Sequence, residues 1–213
     1  MLSNSFSRTY GLGANIGNGL AVSIPVATDT RSDSDLIAAT LTGDPAAFDA
    51  LVRRHYRAAF SVALAHSTNR SDAEDVCHDA FVRVGARLHE CRNTDRFAYW
   101  LCAIVRNHAR NIIARGVVRR AAPLMHDTAA SVDNPVRDAE LGELRARLES
   151  ALATLSPIQR EVVLLHDMDG WTHEAIAEVI GTSAGMSRQH LFKARHRLRD
   201  ALGQHTSTEY WNG

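Results

Sequence analysis

A chain of 213 residues is long enough for two small domains or one of ordinary size. Its 24 lysines and arginines balance 24 aspartates and glutamates, so any affinity for nucleic acid must come from charge segregated in space, and a uniformly basic coating is excluded. Cys77, Cys91 and Cys102 show no CxxC spacing, which argues against a disulfide framework and suits a cytoplasmic location.

Residues 1–32 are rich in Gly, Ser, Asn and Thr and poor in large apolar groups, which predicts a disordered tail. The apolar patch at 20–27 is short and interrupted by Ser23 and Pro25, unlike a signal peptide. No stretch approaches the roughly 18 apolar residues of a spanning helix. From 33 to 120 the apolar residues recur at helical spacing: Phe48, Leu51, Val52 and Tyr56, then Val76, Ala80, Phe81 and Val84, then Phe97, Trp100, Leu101, Ile104 and Val105. That pattern predicts a first helical domain. The periodicity lapses over 121–139, where Pro123, Asp127, Ser131, Asn134 and Pro135 predict a flexible linker. It resumes at Leu141, Leu144, Leu148 and Leu152 and runs through a second helical domain to 203, with a short tail over 204–213. The fold class is therefore all-α, two small helical domains joined by a linker.

Inside the second domain, Ser156-Pro157-Ile158-Gln159 has the form of a capping box with proline at the first helical position. The helix it opens should pass Val162, Val163 and Leu165 and stop near Asp169-Gly170. After Trp171, Thr172 can cap a two-turn helix whose apolar face is Ala175, Ile176 and Val179, and Gly181 can end it. Another helix starts close behind, with Ser183 available as its cap. A short helix, a tight glycine turn and a long helix make a helix-turn-helix.

In the long helix Leu191, Ala194, Leu198 and Leu202 define the buried stripe, leaving Arg188, Gln189, Phe192, Lys193 and His196 on the other side. Five cations and no acid lie between Met186 and Arg199. Such a face is an electrostatic footprint for a major groove: Arg or Lys can take guanine O6 and N7, Gln can pair with adenine, and Phe192 can press on a thymine methyl. The plain alternative is a solvated basic helix with Phe192 packed on a neighbour. A second basic run, Arg106, Arg110, Arg115, Arg119 and Arg120, includes Asn107 and Asn111 and ends the first domain. It exceeds what a helix dipole alone would recruit at its C-terminal end. Opposed to both is an acidic run in which Asp72, Asp75 and Asp79 share one helix face beside Glu74. Acids repel DNA, so this face suits a basic protein surface; the alternative is a solvated helix start near the positive dipole end.

These residues together resemble the extracytoplasmic-function sigma factors of bacterial RNA polymerase. The likeness rests on Asp72-Ala73-Glu74-Asp75-Val76-Cys77-His78-Asp79-Ala80-Phe81, Phe97-Ala98-Tyr99-Trp100-Leu101, Arg106-Asn107, Leu155-Ser156-Pro157 and the closing Lys193-Ala194-Arg195, and covers about residues 33 to 203. It implies that the first domain is sigma domain two, which docks on core RNA polymerase and melts the minus-ten element, and that the second is sigma domain four, which reads the minus-thirty-five element. It further implies polymerase contact for Asp72, Asp75, Asp79 and Phe81. Arg92, Asn93 and Thr94 would stand at the pocket for a flipped non-template base, Asn107, Arg110 and Asn111 at the minus-ten element, and Arg188, Gln189, Phe192 and Lys193 at the minus-thirty-five element. Reading a base on its pairing edge requires that it first leave the stack. The implied partners are core polymerase, promoter DNA and an anti-sigma factor, with no small-molecule substrate and no cofactor.

Three positions depart from the family pattern: His78 replaces a usual glutamine, Gly85 stands where tryptophan is frequent, and Met186-Ser187 replaces a common Thr-Val. Gly85 should weaken its helix by roughly 1 kcal/mol relative to alanine, and Met186-Ser187 should alter packing at the start of the recognition helix. A rival reading is a stand-alone helix-turn-helix regulator with a helical sensor or dimerisation domain, which leaves the acidic face and the aromatic segment without a role. A metal-dependent sensor is a third: His66, Cys77, His78, His89 and Cys91 lie close in sequence but match no closed zinc spacing. No phosphate loop, nucleophile elbow or paired-carboxylate site is recognisable, so no enzymatic activity is expected.

Overall fold

The computed structural model describes residues 29–67, 69–119 and 135–206. Regular structure among them is helical throughout. The expected tails fall largely outside these residues, as does the linker except for its last part, which is helical: a helix begins at Pro135 and runs to Ala153. Proline lacks the N–H that a first helical turn leaves unpaired, so the residue that marked the linker in the sequence instead opens a helix.

The first domain is built from α1 (Asp33–Leu41), α2 (Pro45–His66), α3 (Arg70–Arg87) and α4 (Phe97–Arg119), with two short 3-10 turns, Leu88–Glu90 and Thr94–Arg96, between α3 and α4. Each of the first three helices starts on a side-chain cap. Ser32 and Asp35 form a reciprocal capping box, Asp44 accepts from the amides of Ala46 and Ala47, and Asn69 accepts from that of Asp72. Leu36, Leu51, Val62, Val76, Val84, Phe97, Leu101 and Val105 are fully buried between the four helices. Tyr56 stacks between Phe60 and Phe81 at centroid distances of 6.1 and 6.3 Å.

Gly85 has a structural reason. A Cβ built on it would lie 3.3 Å from the ring of Phe48, closer than side chains normally tolerate, so α3 and α2 approach through this position. Phe48 fills the space that a large side chain at 85 would need.

The second domain comprises α5 (Pro135–Ala153), α6 (Pro157–Val163), α7 (His173–Ile180) and α8 (Ala184–Thr206). The capping box of Ser156 and Gln159 forms as its sequence requires. The helix it opens widens into a π-turn over Leu164–Met168 and ends at Gly170, whose φ of 73° is in the left-handed region that glycine enters without strain. Thr172 caps α7 and Gly181, at φ 76°, closes it. Ser183 accepts from the amide of Met186 at the start of α8.

The two domains are packed on each other. The C-terminal half of α2 meets α6 and the π-turn, and α4 meets α7, so the buried residues of both form one continuous core.

Candidate nucleic-acid and protein interfaces

The recognition helix α8 is phased as its sequence predicts. Leu191 and Ala194 are buried, with Leu198 packed behind them. Arg188, Gln189, Phe192 and Lys193 are all exposed, Phe192 at 72%. At that exposure the ring is not packed against the described residues, unlike the alternative in which Phe192 rests on a neighbour. Arg188 is held by Glu174 of α7 at 2.9 Å, across the turn of the motif. Both side chains are more than half exposed, so the pair orients the guanidinium and adds little stability.

Ser187 resolves the departure at the start of α8. It is fully buried and shares a hydrogen bond of 3.0 Å with Nδ1 of His173, while Met186 is turned outward. His173 in turn stacks on His166 at 4.5 Å. Partial burial and then the neighbouring His166 lower the pKa of His173, favouring its neutral ring. A polar bond thus replaces the apolar packing usual there.

On α3, Glu74, Asp75 and Asp79 are exposed and Asp72 is half-buried. Asp72 is oriented by Nδ2 of Asn69 at 3.1 Å, and Asp79 meets Nε2 of His108 on α4 at 3.2 Å. The carboxylate face is therefore outward. Phe81 is not part of it: only 4% exposed and stacked on Tyr56, it belongs to the core. Placed nine residues beyond Asp72, it falls on the opposite side of α3, in phase with the apolar series of Val76, Ala80 and Val84.

Beyond α3, Arg92 and Asn93 are exposed and Thr94 is half-buried on the loop that leads into α4. The Asn93 carbonyl accepts from the Arg96 amide, and Cys91 is buried beneath. The loop is anchored from within: the Phe97 ring packs edge-on against His55 at 5.1 Å, and His55 binds Asp33 at 2.8 Å. Burial lowers the pKa of His55, opposed by the Asp33 carboxylate. On α4, Asn107, Arg110 and Asn111 are exposed.

Arg106 departs from the expectation of a uniformly DNA-facing basic run. It is 8% exposed and points into the contact with the second domain, where Nη1 donates to the Val179 carbonyl at 2.6 Å and Nε to Glu161 at 3.1 Å, with Nη2 on the second Glu161 oxygen. His66 reaches the same carboxylate at 2.8 Å. Burial pushes the Glu161 carboxyl up, but the hydrogen bonds from His66 and Arg106 outweigh it and hold it below the usual carboxylate range. The side chains of Arg115, Arg119 and Arg120 lie outside the described residues.

Among the described residues no group of three His, Cys, Asp or Glu side chains is placed to hold a metal ion. Cys77 and Cys102 are buried thiols, each pushed up to about 12 chiefly by burial. No helix among the described residues is long and apolar enough to cross a membrane.

A helical domain with an outward acidic face, joined to a helix-turn-helix that displays cations and an aromatic ring, has the architecture of a helix-turn-helix DNA-binding protein. Residues 51–120 match the family described as Sigma-70 region 2, and residues 145–198 match Sigma-70, region 4. The chain is 34% identical over 172 residues to the ECF RNA polymerase sigma factor SigE of Mycolicibacterium smegmatis, covering 78% of this chain and 66% of that protein. It is 32% identical over 173 residues to SigM of Mycobacterium tuberculosis, covering 81% of this chain and 86% of that one. The structure of CnrH in complex with the cytosolic domain of CnrY superimposes with a TM-score of 0.61 at 27% identity, over 82% of this chain and 99% of that one. The sigma factor RpoE of Bartonella quintana, solved with the anti-sigma factor NepR, shares the fold with a TM-score of 0.56 at 22% identity, over 73% and 96% of the two chains. The chain belongs to the ECF RNA polymerase sigma factors and directs transcription initiation; the stand-alone regulator is not favoured.

Proposed function

We propose that this sigma factor works through the surfaces described above, with the first domain as polymerase dock and minus-ten reader and the second as minus-thirty-five reader. Asp72, Asp75 and Asp79 dock the chain on a basic surface of core polymerase. Phe81 supports that face from inside by fixing α3 against Tyr56. Arg92, Asn93 and Thr94 receive an unstacked non-template base. Asn107, Arg110 and Asn111 contact the strand beside it. In the second domain α8 enters the major groove, where Arg188, Gln189 and Lys193 contact base edges and phosphates and Phe192 meets a thymine methyl.

The observation that carries this reading is the phase of α8: Arg188, Gln189, Phe192 and Lys193 are exposed while Leu191 and Ala194 are buried. Neither domain need bind promoter strongly alone. Held together on polymerase, two weak contacts act at high effective concentration. The protein acts in the cytoplasm, without cofactor, small-molecule substrate or catalysis of its own. Since one solved relative carries an anti-sigma factor and another the cytosolic domain of a second protein, an anti-sigma partner is proposed here as well.

The test is in vitro transcription with core polymerase and genomic template, followed by mapping of transcript 5′ ends. The expected result is initiation from a set of sites sharing one motif near minus ten and another near minus thirty-five. Initiation no different from core alone overturns the reading.

A further inference from the structure

The buried stripe of α8 begins with a hydroxyl. Ser187, Leu191, Ala194 and Leu198 stand at i, i+4, i+7 and i+11, so all four share one face, and Ser187 is fully buried at the end nearest the turn of the motif. An apolar contact is non-directional, and a helix resting on one rolls about its axis at little cost. A hydrogen bond holds only within a narrow range of distance and angle. The 3.0 Å bond between Ser187 Oγ and Nδ1 of His173 therefore fixes the rotation of α8 where the apolar residues alone would leave it loose.

The ring that makes this bond is itself held. His173 opens α7 directly after the cap Thr172, whose hydroxyl accepts from the Ala175 amide. It lies nearly parallel to the ring of His166, with 24° between the planes and 4.5 Å between the centroids. His166 Nδ1 is bonded to Asp167 at 2.8 Å, and Asp167 accepts from Nε of Arg195 at 3.0 Å. The chain of contacts thus leaves α8 at Ser187 and returns to it at Arg195, about two turns or about 12 Å further along. A second tie lies beside the first: Glu174 follows His173 as Arg188 follows Ser187, and these two pair at 2.9 Å.

We propose that His173 and Ser187 are positioning residues for minus-thirty-five recognition: their bond sets the rotation of α8, and with it the register in which Arg188 and Gln189 meet base edges. The inference rests on the function proposed above. Arg188 and Gln189 follow Ser187 directly, so a roll of the helix reaches them undiminished. Side chains extend about 5–6 Å from a helix axis, where a roll of about 10° moves an atom by about 1 Å. Recognition sites tolerate displacements of only about 0.5 Å. When Arg188 turns from Glu174 to a base, the exposed pair is lost, and the buried tie at Ser187 still holds the first turn. Neither His173 nor Ser187 needs to touch DNA for this effect.

The experiment assembles polymerase holoenzyme with the full chain and measures competition binding on promoters substituted one base pair at a time. Ser187→Ala removes the hydroxyl, and His173→Phe keeps a ring to stack on His166 but removes the nitrogen. Circular dichroism and thermal melting first establish that each variant is folded. Both are expected to lower discrimination within the minus-thirty-five element by roughly two- to tenfold, the equivalent of one hydrogen bond, with discrimination at minus ten unchanged. Because one bond is removed either way, the double variant should lose no more than either single one. On an Arg188→Ala background, Ser187→Ala should cause no further loss at the base pair that Arg188 reads. Folded variants that discriminate as the wild type does overturn the inference. So does a loss of affinity equal on every sequence, which marks a merely structural bond, or a double variant whose loss is the sum of the two. A wild type that binds promoters without preference at minus thirty-five overturns the proposed role of α8 itself, and that result is distinguishable because it precedes any substitution.

Discussion

The two basic helices look alike in sequence and are used in opposite ways. In α8 the cations fall opposite an apolar stripe, and Arg188 and Lys193 face solvent. In α4 the run begins with Arg106, which is turned inward onto Glu161, while Arg110 four residues later is exposed. Residues three to four apart on a helix share a face only loosely, so neighbouring arginines can divide between an interface and a ligand surface. A run of like charge is thus not yet a charged surface; helical phase and the element packed opposite decide.

The largest effect that would test this comparison is charge reversal on the acidic face of α3. Asp75→Arg should abolish co-purification with core polymerase while leaving circular dichroism and melting temperature unchanged, because the side chain is exposed. Retained binding would remove the docking role of the acidic face and leave the first domain with DNA contacts alone. Next in size, Arg188→Ala should cost about 1–3 kcal/mol at one base pair of the minus-thirty-five element and relax specificity there, read by competition binding of the polymerase complex on single-substituted promoters. An equal loss on every sequence would instead make Arg188 a phosphate contact.

Smaller effects concern the helices themselves. Ser156→Ala removes a side chain that accepts from the Gln159 amide and should lower stability by about 1 kcal/mol in denaturant melts. Gly85→Ala should change stability little, since the helix propensity gain of about 1 kcal/mol is offset by a Cβ meeting the Phe48 ring at 3.3 Å. A clear gain would show that Phe48 moves freely; a large loss would show that the α2–α3 contact has no slack.

Much of this was legible in advance because it depends on neighbours along the chain. The caps Ser156, Thr172 and Ser183 and the turn at Gly181 are local devices, and each forms where its residue type predicts. Helix phase also foretold the outward Arg188, Gln189, Phe192 and Lys193. The errors lie where a motif was read as a line. Phe81, adjacent to the acids in sequence, is core, and Pro135, a linker signal, starts a helix.

The amino-acid order alone determined the helices, their caps and the two helical groups, because hydrogen bonds and periodicity act within a few residues. It also carried the family likeness. Only the tertiary structure decided the role of Glu161, Arg106 and His66, which are separated by 55 and 95 residues from one another across the pairs they form. No local rule marks a glutamate on a short amphipathic helix as buried. Its burial follows from where another domain comes to rest, and a charge can be kept there only because two distant donors arrive with it.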